Sequence, residues 1–197
     1  MTKIILASQS PRRKMLLETL GVDFTCVPAK IDEYVLCREK PREAVNRIAR
    51  QKAEEVASRY KDSLVIAADT IVVYNHQIMG KPEDEEDAFR KLSILSGNSH
   101  EVITALCIMN AARKVCDQED EITRVYFRNI TERETRAYIA TGEPMDKAGA
   151  YGIQGIGSIF ISRIEGCYFN VVGLPLSRLY IMLQRQGIDL LGGTSAG

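Results

Sequence analysis

Residues 3–21 read KIILASQSPRRKMLLETLG, and this stretch predicts a buried strand followed at once by a helix. The strand is predicted over the apolar run 4–7. Ser10 is a favoured N-cap residue, and Pro11 suits the first helical position because its missing N–H would have no partner there. Gly21 marks the end of the helix. The apolar face of this helix is formed by Met15, Leu16, Leu17 and Leu20. A strand and a helix in direct succession favour an α/β protein.

The first turn of the predicted helix carries Arg12 and Arg13, where the helix dipole favours negative charge. Two cations are tolerable there if an anion binds between them. Backbone N–H groups, the hydroxyls of Ser8 and Ser10 and the two guanidinium groups would then converge on phosphate oxygens. The other interpretation is that both arginines are solvated surface charges. The spacing alone leaves the two interpretations open.

Composition limits the function classes. The chain has 197 residues, of which 45% are hydrophobic, so it can bury the core of one domain or of one two-lobed domain. Lys and Arg total 26 and Asp and Glu total 26, which gives zero net charge and counts against a dedicated nucleic-acid-binding protein. Five cysteines without a C-x-x-C pair, and two histidines, predict a reducing compartment and no zinc site. The chain reaches a strand within a few residues and has no membrane-length apolar run, so a cytoplasmic protein without a signal peptide or membrane contact is expected.

Further candidate residues follow along the chain. The amphipathic helix predicted over 39–60 carries Lys52 within its apolar stripe, where a lysine either snorkels to the edge or points into a site. The apolar run 63–68 predicts a doubly covered strand that ends at Asp69. A carboxylate beyond a strand end can hold a divalent metal or activate water, or it can simply begin a turn. Lys81 lies outside any P-loop motif, and Glu33 offers a second acidic position.

The stretch 146–155, DKAGAYGIQG, is the second anomaly, because its small residues allow the backbone to approach a ligand closely. Gln154 could bind a base edge as both donor and acceptor. The alternative is a tight structural connection. The other predicted elements are a hairpin over 71–79, a helix from 83 that stops at Gly97, a strand over 100–109, a turn or loop over 111–120, a strand over 121–130, a helix that Thr131 caps and that ends before Gly142, a hairpin joining 158–164 to 167–172, a helix over 175–186, and a disordered tail over 192–197.

Together these stretches resemble the Maf family of nucleoside triphosphate pyrophosphatases, also described as septum-formation inhibitors. The similarity runs nearly end to end, and its order and spacing are more specific than any one motif. The matching stretches are LASQSPRR (6–13), IDE (31–33), QKA (51–53), ADT (68–70), GKP (80–82), SG (96–97) through His100, GEP (142–144), DKAGAYGIQG (146–155) and NVVGLPL (170–176).

The resemblance implies an α/β fold similar to that of inosine triphosphate pyrophosphatases. This fold has an elongated, twisted mixed sheet with flanking helices, in a single two-lobed domain over 1–197 around a deep cleft. It implies hydrolysis of a nucleoside triphosphate to the monophosphate and pyrophosphate with Mg²⁺, or with Mn²⁺ or Co²⁺. It also implies a homodimer, although the residues themselves leave the oligomeric state open. By carry-over, Asp69 is the catalytic proton acceptor and a metal ligand with Glu33. The triphosphate ligands are Ser8, Arg12, Arg13, Lys52 and Lys81.

Substrate choice divides the family. Arg12, Thr70 and Gln154 occupy positions that resemble the branch acting on dTTP and UTP, and on related or modified pyrimidine nucleotides. One alternative keeps the chemistry and changes the base to 7-methyl-GTP or another modified purine. Another alternative is a division-arrest protein that acts by binding a partner or DNA. Zero net charge argues against DNA.

Overall fold

The computed structural model describes residues 3–191. Seven strands form one mixed sheet: β1 (Ile4–Leu6), β2 (Phe24–Cys26), β3 (Leu64–Tyr74), β4 (Gln77–Met79), β5 (Ser99–Asn110), β6 (Val115–Phe127) and β7 (Ile161–Glu165). The α-helices are α1 (Pro11–Glu18), α2 (Pro41–Arg59), α3 (Glu85–Leu95), α4 (Glu132–Ile139), α5 (Tyr168–Val172) and α6 (Leu176–Arg185). The predicted mixed α/β fold is confirmed. The predicted tail over 192–197 lies outside the described residues.

The strand order is β2-β1-β3-β5-β6-β7, and β4 pairs with β3. β1 runs parallel to β2 and β3, and every other pairing is antiparallel. Adjacent residues of β1 face opposite sides, so Leu6 packs with α1 and α6 while Ile5 packs with α2. A further apolar cluster packs α3 and α4 on the distant half of the sheet, around Leu92, Phe127 and Tyr138. The sheet is therefore covered on both faces beside β1.

One edge of β3 is interrupted, and this interruption positions the site. β5 pairs with β3 over 65–73, so β1 and β4 must share the opposite edge. On that edge β1 pairs with 64–66 and β4 with 72–74. Within the described part of the chain, residues 67–71 have no strand partner on this edge. A gap in a sheet leaves backbone N–H and C=O groups open to a ligand, and it lies where Asp69 and Thr70 occur.

The prediction that a strand ends at Asp69 is wrong. β3 continues without a break to Tyr74, and Asp69 lies opposite Ala105 in the ladder with β5. A buried carboxylate can occur inside a strand when a counter-ion accompanies it, and Lys52 supplies that charge.

Two other predictions are wrong in part. The predicted turn or loop over 111–120 is a turn at 111–114, and β6 follows it directly. The charged residues of β6 pair with helices: Asp120 with Arg42, and Glu119 with Arg178. The second half of the predicted hairpin over 158–172 is the short helix α5, because buried Asn170 binds the backbone of Val102. The predicted capping box at the start of α4, formed by Thr131 and Glu134, is confirmed.

Candidate active site

A cleft of about 540 Å³ opens at the gap in β3. Its lining includes all nine residues that the resemblance assigns to the site: Ser8, Arg12, Arg13, Glu33, Lys52, Asp69, Thr70, Lys81 and Gln154. The volume lies in the range of small-molecule sites, roughly 300–1,000 Å³. The fold therefore brings together in one cavity residues as distant in sequence as Ser8 and Gln154, which are 146 positions apart.

Arg13 is held by three different parts of the chain. Its Nε donates to the carbonyl of Gly173 at 2.9 Å, its Nη2 donates to Thr70 Oγ1 at 2.9 Å, and its Nη1 donates to Ser8 Oγ at 3.4 Å. The helix start contributes too, because Ser10 Oγ accepts from the Arg13 backbone N–H at 3.4 Å. Desolvation lowers the pKa of Arg13 from its ordinary value, and the charges of Asp69 and Glu33 oppose that shift. Arg13 stays a cation, fixed in orientation.

Gly173 permits the close approach of these groups. Its φ of +119° is unfavourable for any other residue, and this backbone conformation directs the Gly173 carbonyl to Arg13 Nε. This position belongs to the stretch NVVGLPL, so the sequence signal at 170–176 has a structural cause.

The opposite wall of the cleft contains a lysine between two carboxylates. Lys52 Nζ lies 2.7 Å from Asp69 Oδ1 and 2.8 Å from Glu33 Oε1. The Lys52 and Asp69 side chains are 8% and 10% exposed, whereas that of Glu33 is 53% exposed. Asp69 and Thr70 point to opposite faces of β3, which is why one meets α2 and the other meets α1. The gap in the sheet lets both faces contribute to one cleft.

Two other predicted ligands are less constrained. Arg12 forms an ion pair with Asp146 at 3.7 Å, and its side chain is 38% exposed. Lys81 is exposed and lines the cleft. Among residues 3–191, no hydrogen bond or ion pair joins the Lys81 ammonium group to the protein. Lys81 is thus a cation available to a ligand.

Gln154 is exposed at the rim of the cleft, on the glycine-rich segment 146–155. Glu143 binds the backbone of the two residues that follow this segment. One oxygen of Glu143 accepts from Gly157 N at 3.1 Å and from the Tyr138 hydroxyl at 2.8 Å, and the other accepts from Ile156 N at 2.8 Å. Although desolvation raises the pKa of Glu143, hydrogen bonds from the Gly157 and Ile156 backbone hold it below its ordinary value. The segment is therefore anchored by a carboxylate.

Sequence reasoning alone does not identify every residue of the site. Lys147 also lines the cleft, and its Nζ is held by the Glu143 carbonyl at 2.6 Å and by Asp146 Oδ1 at 2.5 Å. Its place within the glycine-rich stretch is the signal that could have found it. Glu143 lies in the stretch GEP, but its hydrogen bonds to residues 156 and 157 depend on the folded chain.

The carboxylate pair fits a divalent cation that arrives with a phosphorylated ligand. Among the described residues there is no group of three or more His, Cys, Asp or Glu side chains suited to hold a metal ion. Mg²⁺ usually takes one or two protein carboxylates and completes its shell with phosphate oxygens and water. Asp69 and Glu33 supply two such carboxylates, close enough to share one ammonium group.

The fold and the cleft define an α/β protein in which cationic side chains face a pair of carboxylates. Residues 3–186 match the family model described as Maf-like protein, and the chain belongs to this family.

Curated relatives agree with that assignment. The chain is 56% identical to the dTTP/UTP pyrophosphatase of Syntrophomonas wolfei subsp. wolfei, over 94% of this chain and 98% of that protein. It is 50% identical to the dTTP/UTP pyrophosphatase of Geobacillus sp., over 95% of this chain and 100% of that protein. Among solved structures, the Staphylococcus aureus Ham1 protein aligns with a TM-score of 0.45 and 14% identity, over 64% of this chain and 72% of that one. Within residues 3–191 no helix is long and apolar enough to cross a membrane.

Proposed function

We propose that this protein is a nucleoside triphosphate pyrophosphatase that hydrolyses dTTP and UTP to the monophosphate and pyrophosphate. The observation that carries the proposal is the convergence of Arg12, Arg13 and Lys81 with the Asp69–Glu33 pair in one cleft. Relatives at 56% and 50% identity bear the name dTTP/UTP pyrophosphatase, which supports the same choice of base.

The cations account for triphosphate binding in a chain of zero net charge. A triphosphate carries several negative charges, so its binding needs a local cluster of positive charge. Arg13 offers a guanidinium fixed by three hydrogen bonds, and Lys81 offers an ammonium group with no partner among residues 3–191. In the first turn of α1 the backbone N–H of Arg12 faces no acceptor among residues 3–191, whereas Pro11 has no N–H and those of Arg13 and Lys14 bond to Ser10.

The hydrolytic step uses Asp69 as proton acceptor. A water oxygen attacks the α-phosphorus, the bond from that phosphorus to the bridging oxygen breaks, and pyrophosphate leaves with the electron pair. The water proton passes to Asp69, whose Oδ1 is oriented by Lys52. Positioning and charge neutralisation provide most of the rate in phosphoryl transfer, which matches a site of cations and carboxylates.

A divalent cation completes the proposal. Glu33 and Asp69 would hold Mg²⁺, or Mn²⁺ or Co²⁺ in its place, together with phosphate oxygens of the substrate. When bound, the metal ion neutralises negative charge on the phosphate oxygens and favours the ionised form of a water molecule.

A panel of nucleoside triphosphates tests the proposal. Pyrophosphate release with Mg²⁺ is expected from dTTP and UTP, and chelation by EDTA is expected to abolish it. Release from 7-methyl-GTP alone would keep the chemistry and refute the choice of base. No release from any nucleotide would refute the enzymatic function.

Lys81→Ala tests the phosphate contacts, because Lys81 makes no hydrogen bond or ion pair within residues 3–191 that its loss would break. Its kcat/KM for UTP is expected to fall by roughly tenfold or more, as befits a lost charge-assisted hydrogen bond. Lys61→Ala removes an exposed lysine that does not line the cleft, and it should leave the kinetics unchanged. Equal kcat/KM in both variants would remove Lys81 from the site.

A further inference from the structure

A chain of hydrogen bonds leads from Arg13 through Thr70 into the protein interior. Thr70 and Thr104 are directly opposite each other on β3 and β5, and their hydroxyl oxygens lie 2.9 Å apart. Thr104 Oγ1 also donates to the backbone carbonyl of Asn170 at 3.0 Å. Thr104 is fully buried and does not line the cleft.

The direction of each proton in this chain follows from what its partners can do. A carbonyl oxygen only accepts, so Thr104 gives its one proton to Asn170. Thr70 must therefore donate to Thr104. An arginine only donates, so Arg13 Nη2 occupies one of the two lone pairs of Thr70 Oγ1. The Thr70 hydroxyl therefore has one lone pair left for a ligand and no proton to donate to it.

The acceptor at the end of the chain is rigid. Asn170 is fully buried, and its Nδ2 donates to the Val102 carbonyl at 3.0 Å and to Thr123 Oγ1 at 2.9 Å. These bonds fix α5 against β5 and β6, and with it the carbonyl that receives the Thr104 proton. The polarity of the Thr70 hydroxyl is thus set by residues outside the cleft.

We propose that Thr104 and the Asn170 carbonyl are positioning groups that make Thr70 an obligatory hydrogen-bond acceptor for the N3–H of uracil or thymine. This inference rests on the proposed function. Uracil and thymine present a donor at ring position 3, whereas cytosine presents a lone pair there. Against a Thr70 that has no proton to offer, the cytosine lone pair meets a second lone pair. Discrimination between these bases thus depends on a buried threonine that touches no substrate.

The variant Thr104→Val tests the inference, because it removes the acceptor for the Thr70 proton and conserves shape. The freed proton can turn toward the cleft and serve a cytosine ring nitrogen. The ratio of kcat/KM for CTP to kcat/KM for UTP is expected to rise by roughly tenfold, the size of one hydrogen bond gained or lost. Thr104→Ser keeps the hydroxyl and should restore the parent ratio.

Thr135→Val serves as a matched control, since Thr135 is also buried but its hydroxyl donates to the carbonyl of Thr131, the N-cap of α4, far from the cleft residues. A purely structural effect would lower activity on both nucleotides and leave their ratio unchanged. An unchanged ratio in Thr104→Val, with UTP activity retained, would overturn the inference and leave the proposed function intact. Absence of UTP hydrolysis in the parent protein would instead refute the proposed function.

A second measurement needs no variant, and so does not depend on whether Thr104→Val folds. The parent protein is assayed with 3-methyl-UTP, which lacks the N3–H donor, and with 5-methyl-UTP, which carries the same added methyl group elsewhere. The kcat/KM for 3-methyl-UTP is expected to be at least about tenfold lower. Equal values for the two analogues would overturn the inference.

Discussion

Replacing Lys52 by methionine would remove the cation that two carboxylates share. The Lys52–Asp69 contact, at 2.7 Å, is between side chains that are 8% and 10% exposed. Removing one partner of a buried ion pair leaves the other charge uncompensated, which lowers the free energy of unfolding by about 3–5 kcal/mol. The Arg13 charge still acts on Asp69, so the lower end applies, and the expected loss in free energy of unfolding is about 3 kcal/mol.

Glu33→Gln provides the comparison, because it weakens the other ion pair of the same lysine. The Glu33 side chain is 53% exposed, so solvent screens this contact and its loss is expected to cost about 1 kcal/mol or less. The double variant Lys52→Met/Asp69→Asn removes both buried charges and should recover most of the loss of the single variant.

Urea denaturation followed by circular dichroism measures all three free energies at one pH and salt concentration. We expect Lys52→Met to be destabilised several times more than Glu33→Gln, with partial recovery in the double variant. Equal destabilisation of the two single variants, or a Lys52→Met protein more stable than the parent, would refute it.

Other predictions concern the supports of the cleft. Glu143→Gln places an amide N–H against backbone donors, so kcat/KM for UTP should fall by roughly tenfold in steady-state assays; unchanged kinetics would count against the anchoring role. Gly157→Ala would place a Cβ 2.9 Å from the Gly152 carbonyl, and thermal unfolding should show a loss of about 2 kcal/mol, with the unobstructed Gly80→Ala near zero. Burial lowers the pKa of His100 from 6.5 to about 4. The unfolded chain therefore binds more protons at this residue between these values, and His100 should contribute a fall of about 3 kcal/mol in stability as pH drops from 6.5 to 4, a contribution that His100→Phe should remove in urea titrations.

The local signals in the sequence were strong where one segment determines its own structure. Ser10 and Pro11 begin α1, and Thr131 caps α4, because caps depend only on neighbouring residues. The site residues were identified by motifs whose order matched a family. The structure brings all nine together in one cleft. Their roles in binding and catalysis stay predictions.

The failures occurred where distant residues decide. From the sequence, Asp69 resembles the end of a strand. It lies inside β3 because Lys52, which belongs to α2, neutralises its charge. The charged run 117–121 resembles a loop, but its ion pairs with α2 and α6 allow it to pair with β5 as a strand. Thr104 gives no sequence signal of its own. Its importance depends on the register that places it opposite Thr70.

The most direct test of the central claim is UTP hydrolysis by the parent protein and by Asp69→Asn, with both products quantified. We expect equal amounts of UMP and pyrophosphate from the parent, and a rate lower by about 10²–10⁴ in the variant, as for loss of a general base. The variant should still bind UTP by equilibrium dialysis, since Arg13 and Lys81 are intact. Equal rates in the two proteins, or release of inorganic phosphate in place of pyrophosphate, would contradict the account.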